Sequence, residues 1–265
     1  MKNLKNQVIW ITGASAGIGE ALAISLGQAG ARLVLSARRQ TELERVKQLT
    51  GLPDTEVLVI PLDLAAPSDF GEKVNRVMAH FGRIDIVIHN AGISQRSFAR
   101  NTQLAVDRRL MEVNYLGTVA LTKAILPIML RQQAGHLAVV TSLVGLFGSP
   151  MRTSYAASKH ALHGFFDSLR AELWRDHIDV SLICPGYIRT DVSVNALNEN
   201  GEKYNRMDEN QALGMDPHQC AALILQGLVK RKEEILIGGR EVWGVYLKRF
   251  LPRLFSRMLR KLEVK

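Results

Sequence analysis

"VIWITGASAGIGEALAISLGQAG", residues 8–30, is the stretch whose reading decides the fold. "VIWIT" is a short apolar, β-branched run of the kind that forms a buried strand. "GASAGIG" then places Gly13, Gly17 and Gly19 at a turn, and "EALAISLGQAG" continues as an amphipathic helix. Glycines at such a turn let the backbone approach a pyrophosphate, and the helix behind it presents unpaired N–H groups and the positive end of its dipole. Glycines also serve ordinary tight turns, so the turn alone decides little. It follows the first strand of a strand–helix–strand pattern, and in that setting Gly13, Ser15, Gly17, Ile18 and Gly19 read as a dinucleotide-binding turn. The spacing is not the commoner G-x-G-x-x-G.

Outward from this turn the same alternation repeats. The strand candidates are "VIWIT", "RLVLSA", "EVLVIPL", "IDIVIHN", "HLAVVTS", "DVSLICPG" and "EILIG". Between them lie helical stretches such as "DFGEKVNRVMAHF", "QLAVDRRLMEVNYLGTVALTKAILPIMLRQ", "AASKHALHGFFDSLRAELW" and "PHQCAALILQGLVKR". Strands that are nearly continuous apolar runs suit a parallel sheet covered on both faces. The expectation is a doubly wound, Rossmann-type α/β fold with about seven parallel strands, helices on both faces and right-handed crossovers. No internal repeat, low-complexity tract or linker divides the 265 residues. Residues 1–245 therefore read as one dinucleotide-binding and catalytic domain. One long polar stretch, from about Asp191 to Met215, is either a substrate lid or a disordered loop.

Composition narrows the function. No run of about 18 apolar residues suggests a membrane-spanning helix, and "MKNLKNQVIWITG" leaves no room for a signal peptide. Cys184 and Cys220 are too few for a disulfide framework, and no cluster of His, Cys and carboxylates suggests a metal. A cytoplasmic protein is expected. The formal charge is +9, of which the segment from Tyr246 onward supplies +6: seven Lys or Arg against Glu263. No aromatic-interleaved basic face suggests nucleic-acid binding. In that segment Leu247, Phe250, Leu251, Leu254, Phe255, Met258, Leu259 and Leu262 recur at three- and four-residue steps. Residues 246–265 thus read as a basic amphipathic helix starting near Pro252. It could lie on an anionic membrane surface, as a peripheral contact, or bury its leucines against a neighbouring subunit.

At the end of the second strand, "LVLSARRQ" has no acidic residue to hold ribose hydroxyls. Arg38 and Arg39 stand there instead. A carboxylate would repel a 2′-phosphate, whereas a guanidinium can grip one. NADP(H) is favoured over NAD(H).

Seven motifs now share one order along the chain: "TGASAGIG", "LDL" at 62–64, "HNAG" at 89–92, Asn114 in "MEVNYLG", Ser142, "YAASK" at 155–159 and "CPGYIRT". In order and spacing they resemble the short-chain dehydrogenase/reductase family, over about Gln7 to Gly238, and the basic residues after the second strand look like its NADP-preferring branch. The resemblance implies that Asp63 and Leu64 meet the adenine end. Asn90, Ala91 and Gly92 would lie beneath the adenine-ribose side, and Pro185, Gly186, Ile188 and Thr190 would line the nicotinamide end. It also implies a homo-oligomer, dimer or tetramer, assembled through helices and C-terminal segments.

The chemistry rests on Tyr155 and Lys159. A carbonyl that accepts hydride needs a proton donor for the developing alkoxide, and the reverse reaction needs a base. Free tyrosine, with a pKa of about 10, is a poor base near neutrality. A lysine at i+4 shares its helix face, and one unit charge at about 4 Å is worth roughly 4 kcal/mol at an effective dielectric near 20. That spacing therefore pushes the phenol toward working pH, where acid–base catalysis is most effective. Ser142, thirteen residues earlier at a strand end, can orient the substrate oxygen and stabilise its charge. Lys159 would also hold the nicotinamide ribose. Asn114 is awkward inside a helix; the resemblance makes it a holder of a proton-relay water, and the plainer reading is a buried amide satisfied by backbone. His160 and His163 point elsewhere on the helix.

Two functions follow: an NADP-dependent oxidoreductase acting on a hydrophobic ketone or aldehyde, reversible with a secondary alcohol, or a non-catalytic dinucleotide-binding regulator or scaffold on the same fold. Ile93, Ser94, Val144, Phe147, Met151, Tyr187 and Val192 would line a mostly apolar substrate pocket.

Overall fold

The computed structural model describes residues 4–261. Seven strands form one sheet: β1 (Val8–Thr12), β2 (Arg32–Ser36), β3 (Val57–Val59), β4 (Ile86–His89), β5 (Gly135–Val140), β6 (Ile178–Pro185) and β7 (Glu234–Ile237). Their order is 3-2-1-4-5-6-7, and every neighbouring pair is parallel. Each strand coincides with an apolar run, because a parallel strand covered by helices on both faces exposes neither set of side chains.

The two faces divide by side-chain alternation. Ile9 and Ile11 of β1 join Leu33, Leu35, Ile86 and Ile88 on one face, packed against α1 (Gly17–Gln28), α2 (Gln40–Leu49) and α8 (Pro217–Val229). Val8 and Trp10 join Val34, Val87, Leu137 and Val139 on the other, beneath α3 (Phe70–Phe81), α5 (Gly117–Gln132) and α6 (Thr153–Leu173). Trp10 is fully buried, and its indole N–H donates to the Ser36 hydroxyl at 2.8 Å. Such a bulky side chain needs that polar partner when it leaves water.

Several local features depart from the sequence reading. Helix α2 lies outside the quoted segments, because "QTELERVKQL" buries only Leu43 and Val46. The long helical stretch before β5 consists of α4 (Leu104–Met111), one π-helical turn at Glu112–Leu116, and α5. Taken as one rod, Leu104–Gln132 is long and apolar enough to cross a membrane, contrary to expectation. In the fold it is a core element, with Leu121, Ile125 and Met129 fully buried. Gly117 permits its approach, since a Cβ there would overlap the Leu64 carbonyl.

The polar stretch 191–215 folds back onto the body. It includes the short helix α7 (Glu209–Ala212), bridges Leu197 to Gln95 and Met215 to Ile188, and buries Ser193 and Ala196 completely. The basic tail forms two helices, α9 (Trp243–Phe250) and α10 (Pro252–Leu259). A boundary at residue 246 therefore falls inside α9. Pro252 lacks an N–H and is tolerated only in a first helical turn, so the chain breaks at Leu251 and restarts. Leu262, Glu263 and Lys265 lie outside the described residues.

Three histidines are held neutral inside this body. Burial pushes His89 down to about 3, and His136 and His163 down to about 4. Unfolded histidine titrates near 6.5, so between these values the unfolded chain binds more protons. The stability they contribute is complete above about pH 6.5 and is lost as pH falls toward the folded values. From about pH 7 to about pH 5, each should cost roughly 2 kcal/mol of unfolding free energy. Urea unfolding at the two pH values should show the loss, and His136→Gln should flatten it by about one histidine's share. An unfolding energy unchanged over that interval would contradict the burial argument.

Candidate active site

The turn after β1 is built by close approach. Gly13 has φ +66°, and a Cβ there would come within 2.8 Å of Ala91 Cα and 2.9 Å of Asn90 Nδ2. Gly17 has φ +58°, with Thr190 Cγ2 at 3.0 Å from where its Cβ would stand. A Cβ on Gly19 would strike the Gly13 carbonyl. At the same point the Thr12 hydroxyl accepts the Asn90 and Ala91 N–H groups at 3.0 and 3.1 Å. The Asn90 amide donates back to the carbonyls of Thr12 and Gly13 at 3.0 and 3.2 Å. Helix α1 begins at Gly17 behind Ala16, which supplies no capping side chain, so its first N–H groups keep their affinity for an anion. This cradle fits a dinucleotide pyrophosphate.

A cleft of about 1360 Å³ opens where the chain leaves the carboxyl ends of the strands. Its position matches the switch point between β1 and β4, where connections leave the sheet in opposite directions. Every residue assigned from sequence to the coenzyme lines it except Gly19, which lies behind the turn at the tight approach. Arg38 and Arg39 are exposed on its wall, and among the described residues neither forms an ion pair. Asp63 lines the cleft while its carboxylate accepts the Ala65 N–H at 3.0 Å, so it also caps its own turn.

Ser142, Tyr155 and Lys159 line the same cleft. Ser142 follows β5 in extended backbone; its hydroxyl donates to the Pro185 carbonyl at 3.2 Å and accepts from the Val144 N–H at 3.4 Å. Tyr155 and Lys159 stand one turn apart on α6, with Lys159 Nζ 5.8 Å from the tyrosine ring centre. Lys159 is buried and donates to the Val140 carbonyl at 2.8 Å; burial lowers its pKa to about 8.

Asn114 does not line the cleft. It sits in the π turn, where its amide oxygen accepts the Ile93 N–H at 2.8 Å. Its amide nitrogen donates to the Ile93 carbonyl and the Ser158 hydroxyl, both at 2.9 Å. Its oxygen and Lys159 Nζ converge on Gly92, at 3.1 and 3.5 Å from where a Cβ would stand. His163 donates or accepts at Thr141 (3.0 Å) and His160 bonds the Ala156 carbonyl (2.8 Å).

The electrostatics differ from the sequence reading. Burial pushes the Tyr155 phenol above its ordinary pKa, and the opposing influences come from Arg152, the Ser142 hydroxyl and Arg96. The sequence reading had assigned that opposition to Lys159. Arg96 and Arg152 are both buried, and both pair with one carboxylate, Asp208, at 3.3 and 3.0 Å. Two cations therefore share one anion beside the phenol, and Arg96 Nε is buried without a partner. Arg152 also stacks over the Tyr187 ring, 5.5 Å from its centre.

The expected substrate lining is revised accordingly. Ile93, Ser94 and Val192 line the cleft, whereas Val144, Phe147, Met151 and Tyr187 do not. Val144 is buried in a 3₁₀ turn, and Phe147 packs edge-on against Phe255 of α10 at 5.2 Å. Arg96, Arg152 and side chains of the 191–215 stretch stand there instead, so the cleft is more polar than expected.

Residues 7–201 match the family model described as short chain dehydrogenase. The chain belongs to the short-chain dehydrogenase family. It is 44% identical over 267 residues to the Dehydrogenase/reductase SDR family protein 7-like of Drosophila melanogaster, covering 99% of this chain and 82% of that protein. Its fold matches a short chain dehydrogenase/reductase from Burkholderia phymatum in complex with NAD, with a TM-score of 0.84 at 24% identity over 96% of each chain. A metagenomic short-chain oxidoreductase in complex with NADP matches with a TM-score of 0.72 at 27% identity, over 88% of this chain and 97% of that one. As a short-chain dehydrogenase the chain is an oxidoreductase of a nicotinamide dinucleotide, and the seven-stranded parallel sheet is the expected one.

The arrangement makes Arg152 a measurable influence on Tyr155. A guanidinium favours the phenolate, so Arg152→Gln should move the Tyr155 transition to higher pH. ¹³C NMR of ring-labelled tyrosine across a pH titration reads this directly. A transition that stays in place, or moves lower, would remove Arg152 from the account.

Proposed function

We propose that the chain is an NADP(H)-dependent carbonyl reductase, reversible as an alcohol dehydrogenase, acting on a ketone, aldehyde or secondary alcohol. The observation that carries this reading is that Ser142, Tyr155 and Lys159 share one cleft with the glycine turn. When bound, the nicotinamide coenzyme supplies hydride in the reducing direction and accepts it in the oxidising one.

The chain's own groups supply the rest. The Ser142 hydroxyl donates to the carbonyl oxygen and fixes it against the phenol. Tyr155 gives its proton to that oxygen as negative charge develops, and takes it back in oxidation. Its raised pKa suits the first role, since the phenol enters the reducing direction protonated. Lys159, Arg152 and Arg96 surround the resulting phenolate with positive charge. Lys159 would also donate to the nicotinamide ribose, and Asn114 would hold the wall beside Lys159, with a relay water between that wall and solvent.

Arg38 supports the choice of NADP. It stands on the cleft wall after β2, where residues 36–39 carry no carboxylate to oppose a 2′-phosphate. Neutralising Arg38 with Arg38→Ala should raise KM for NADPH on the order of ten- to a hundredfold and leave that for NADH nearly unchanged. Equal effects on both coenzymes would refute the phosphate contact.

Turnover is tested by loss of NADPH absorbance with a panel of ketones and aldehydes. Tyr155→Phe should lower kcat on the order of 10²- to 10⁴-fold while NADPH binding, followed by fluorescence, is retained. Full activity in that variant would overturn the mechanism. Coenzyme binding with no turnover of any carbonyl or alcohol would leave the dinucleotide-binding regulator instead.

A further inference from the structure

The last two helices carry a surface that the reaction does not use. Trp243, Phe250 and Leu251 are 72%, 74% and 54% exposed, and Tyr246, Leu254 and Met258 are also exposed. Soluble surfaces seldom gather so many large apolar side chains in so short a segment. The same helices are not loosely attached. Phe255 is buried against Phe147, and Gly244 lies against the same ring. The inner face is thus satisfied, and the exposed apolar residues are surplus to folding.

Charge identifies what the outer face meets. Between Trp243 and Lys261 there are six Lys or Arg and no Asp or Glu. On α10, Leu254 and Met258 recur at helical spacing as one stripe, with exposed Leu251 just ahead of it, and Arg253 and Arg257, followed by Arg260, form the adjoining one. Trp243 and Tyr246, with ring centres 5.9 Å apart, place two amphipathic aromatics on α9. Apolar residues beside cations, with Trp and Tyr among them, match the boundary of an anionic bilayer. A second copy of the chain fits poorly. A two-fold interface sets a patch against itself, which here would bring six cations against six with no anion between them.

We propose that α9 and α10 form a peripheral docking surface for anionic phospholipid membranes. The cations draw the helices to the headgroups, and Phe250, Leu251, Leu254 and Met258 enter the headgroup–acyl boundary. The surface is tied to the Ser142 turn through Phe147, which follows that turn closely in sequence and packs against Phe255.

The test is flotation of the full chain with phosphatidylcholine vesicles, with and without phosphatidylserine. Binding should require phosphatidylserine and fall with added salt. Each exposed cation removed should weaken partitioning about fivefold, so Arg253→Gln with Arg257→Gln should lose roughly 25-fold. Phe250→Ser with Leu254→Ser should abolish binding while circular dichroism and coenzyme binding stay unchanged. The salt series on the unaltered chain stands even if a variant misfolds. No flotation, or equal flotation on neutral vesicles without salt dependence, would overturn the proposal. So would a concentration-dependent dimer in light scattering that Phe250→Ser dissociates, because the patch would then be covered by protein.

Discussion

The cleft depends on how closely the end of β1 can lie against the end of β4. Without side chains at Gly13 and Gly19 the backbone closes on Asn90 and Ala91, and four hydrogen bonds from Asn90 and Ala91 to Thr12 and Gly13 cross the gap. These bonds satisfy backbone groups at strand ends that no ladder can reach. The consequence travels further along the chain. The segment after Asn90 is fixed, so Ile93 meets Asn114, which holds both its N–H and its carbonyl. Asn114 then donates to Ser158, and Ser158 donates to the Tyr155 carbonyl at 2.8 Å. The glycine turn and the tyrosine are thus joined by one continuous set of polar contacts. Asn114 acts on the site by position and has no face on the cleft.

The charges around Tyr155 oppose one another. Burial disfavours both the phenolate of Tyr155 and the ammonium of Lys159, so each shift runs toward the neutral form. A proton leaving the phenol reverses the balance for the lysine, since an adjacent anion favours the ammonium. The Arg96–Asp208–Arg152 cluster adds a fixed positive excess to that balance. A buried cation without full compensation is costly, and here the cost is borne beside the Tyr155 phenol, whose ionised form both arginines favour. Tyr155 is also half-buried against an open cleft, so solvent softens these effects.

Much of this was legible in the sequence, for physical reasons that also mark where legibility ends. Parallel strands announce themselves because burial on both faces requires unbroken apolar runs. Gly13, Gly17, Ser142, Tyr155 and Lys159 are local in sequence or fixed to strand ends, and they share the cleft. The π turn was not legible: Asn114 is awkward for a helix, but the pattern around it in "MEVNYLG" fits a regular one, and only the side-chain bonds to Ile93 show where the amide is held. The arginine cluster was not legible either, because Asp208 lies 112 residues from Arg96 and 56 from Arg152. It also explains the stretch 191–215, whose polar composition reads as a lid or as disorder until Asp208 is seen clamped between two guanidinium groups. Val144 and Phe147 were misassigned for a simpler reason. Nearness to Ser142 in sequence says nothing of direction, and the 3₁₀ turn at Leu143–Gly145 sends Val144 into the core.

The tail belongs to this architecture and is no appendage to it. Gly186, at the end of β6, leaves room for the Glu241 carboxylate, which any Cβ there would displace. That carboxylate accepts the Tyr187 N–H at 3.3 Å, just ahead of α9. Tyr187 in turn lies beneath Arg152. On the other side, Phe255 holds Phe147 beyond the Ser142 turn. Glu241 just ahead of α9 and Phe255 of α10 therefore support the two loops at the Ser142 end of the cleft, one carrying Pro185 and Gly186 and one carrying Ser142. A segment with that inner duty cannot vary its inner residues freely, yet nothing in the fold requires Trp243, Phe250 or Met258 to be apolar. Their character points to what lies outside the chain, and the six Lys or Arg among them, with no Asp or Glu between Trp243 and Lys261, are the reason the proposed partner is anionic.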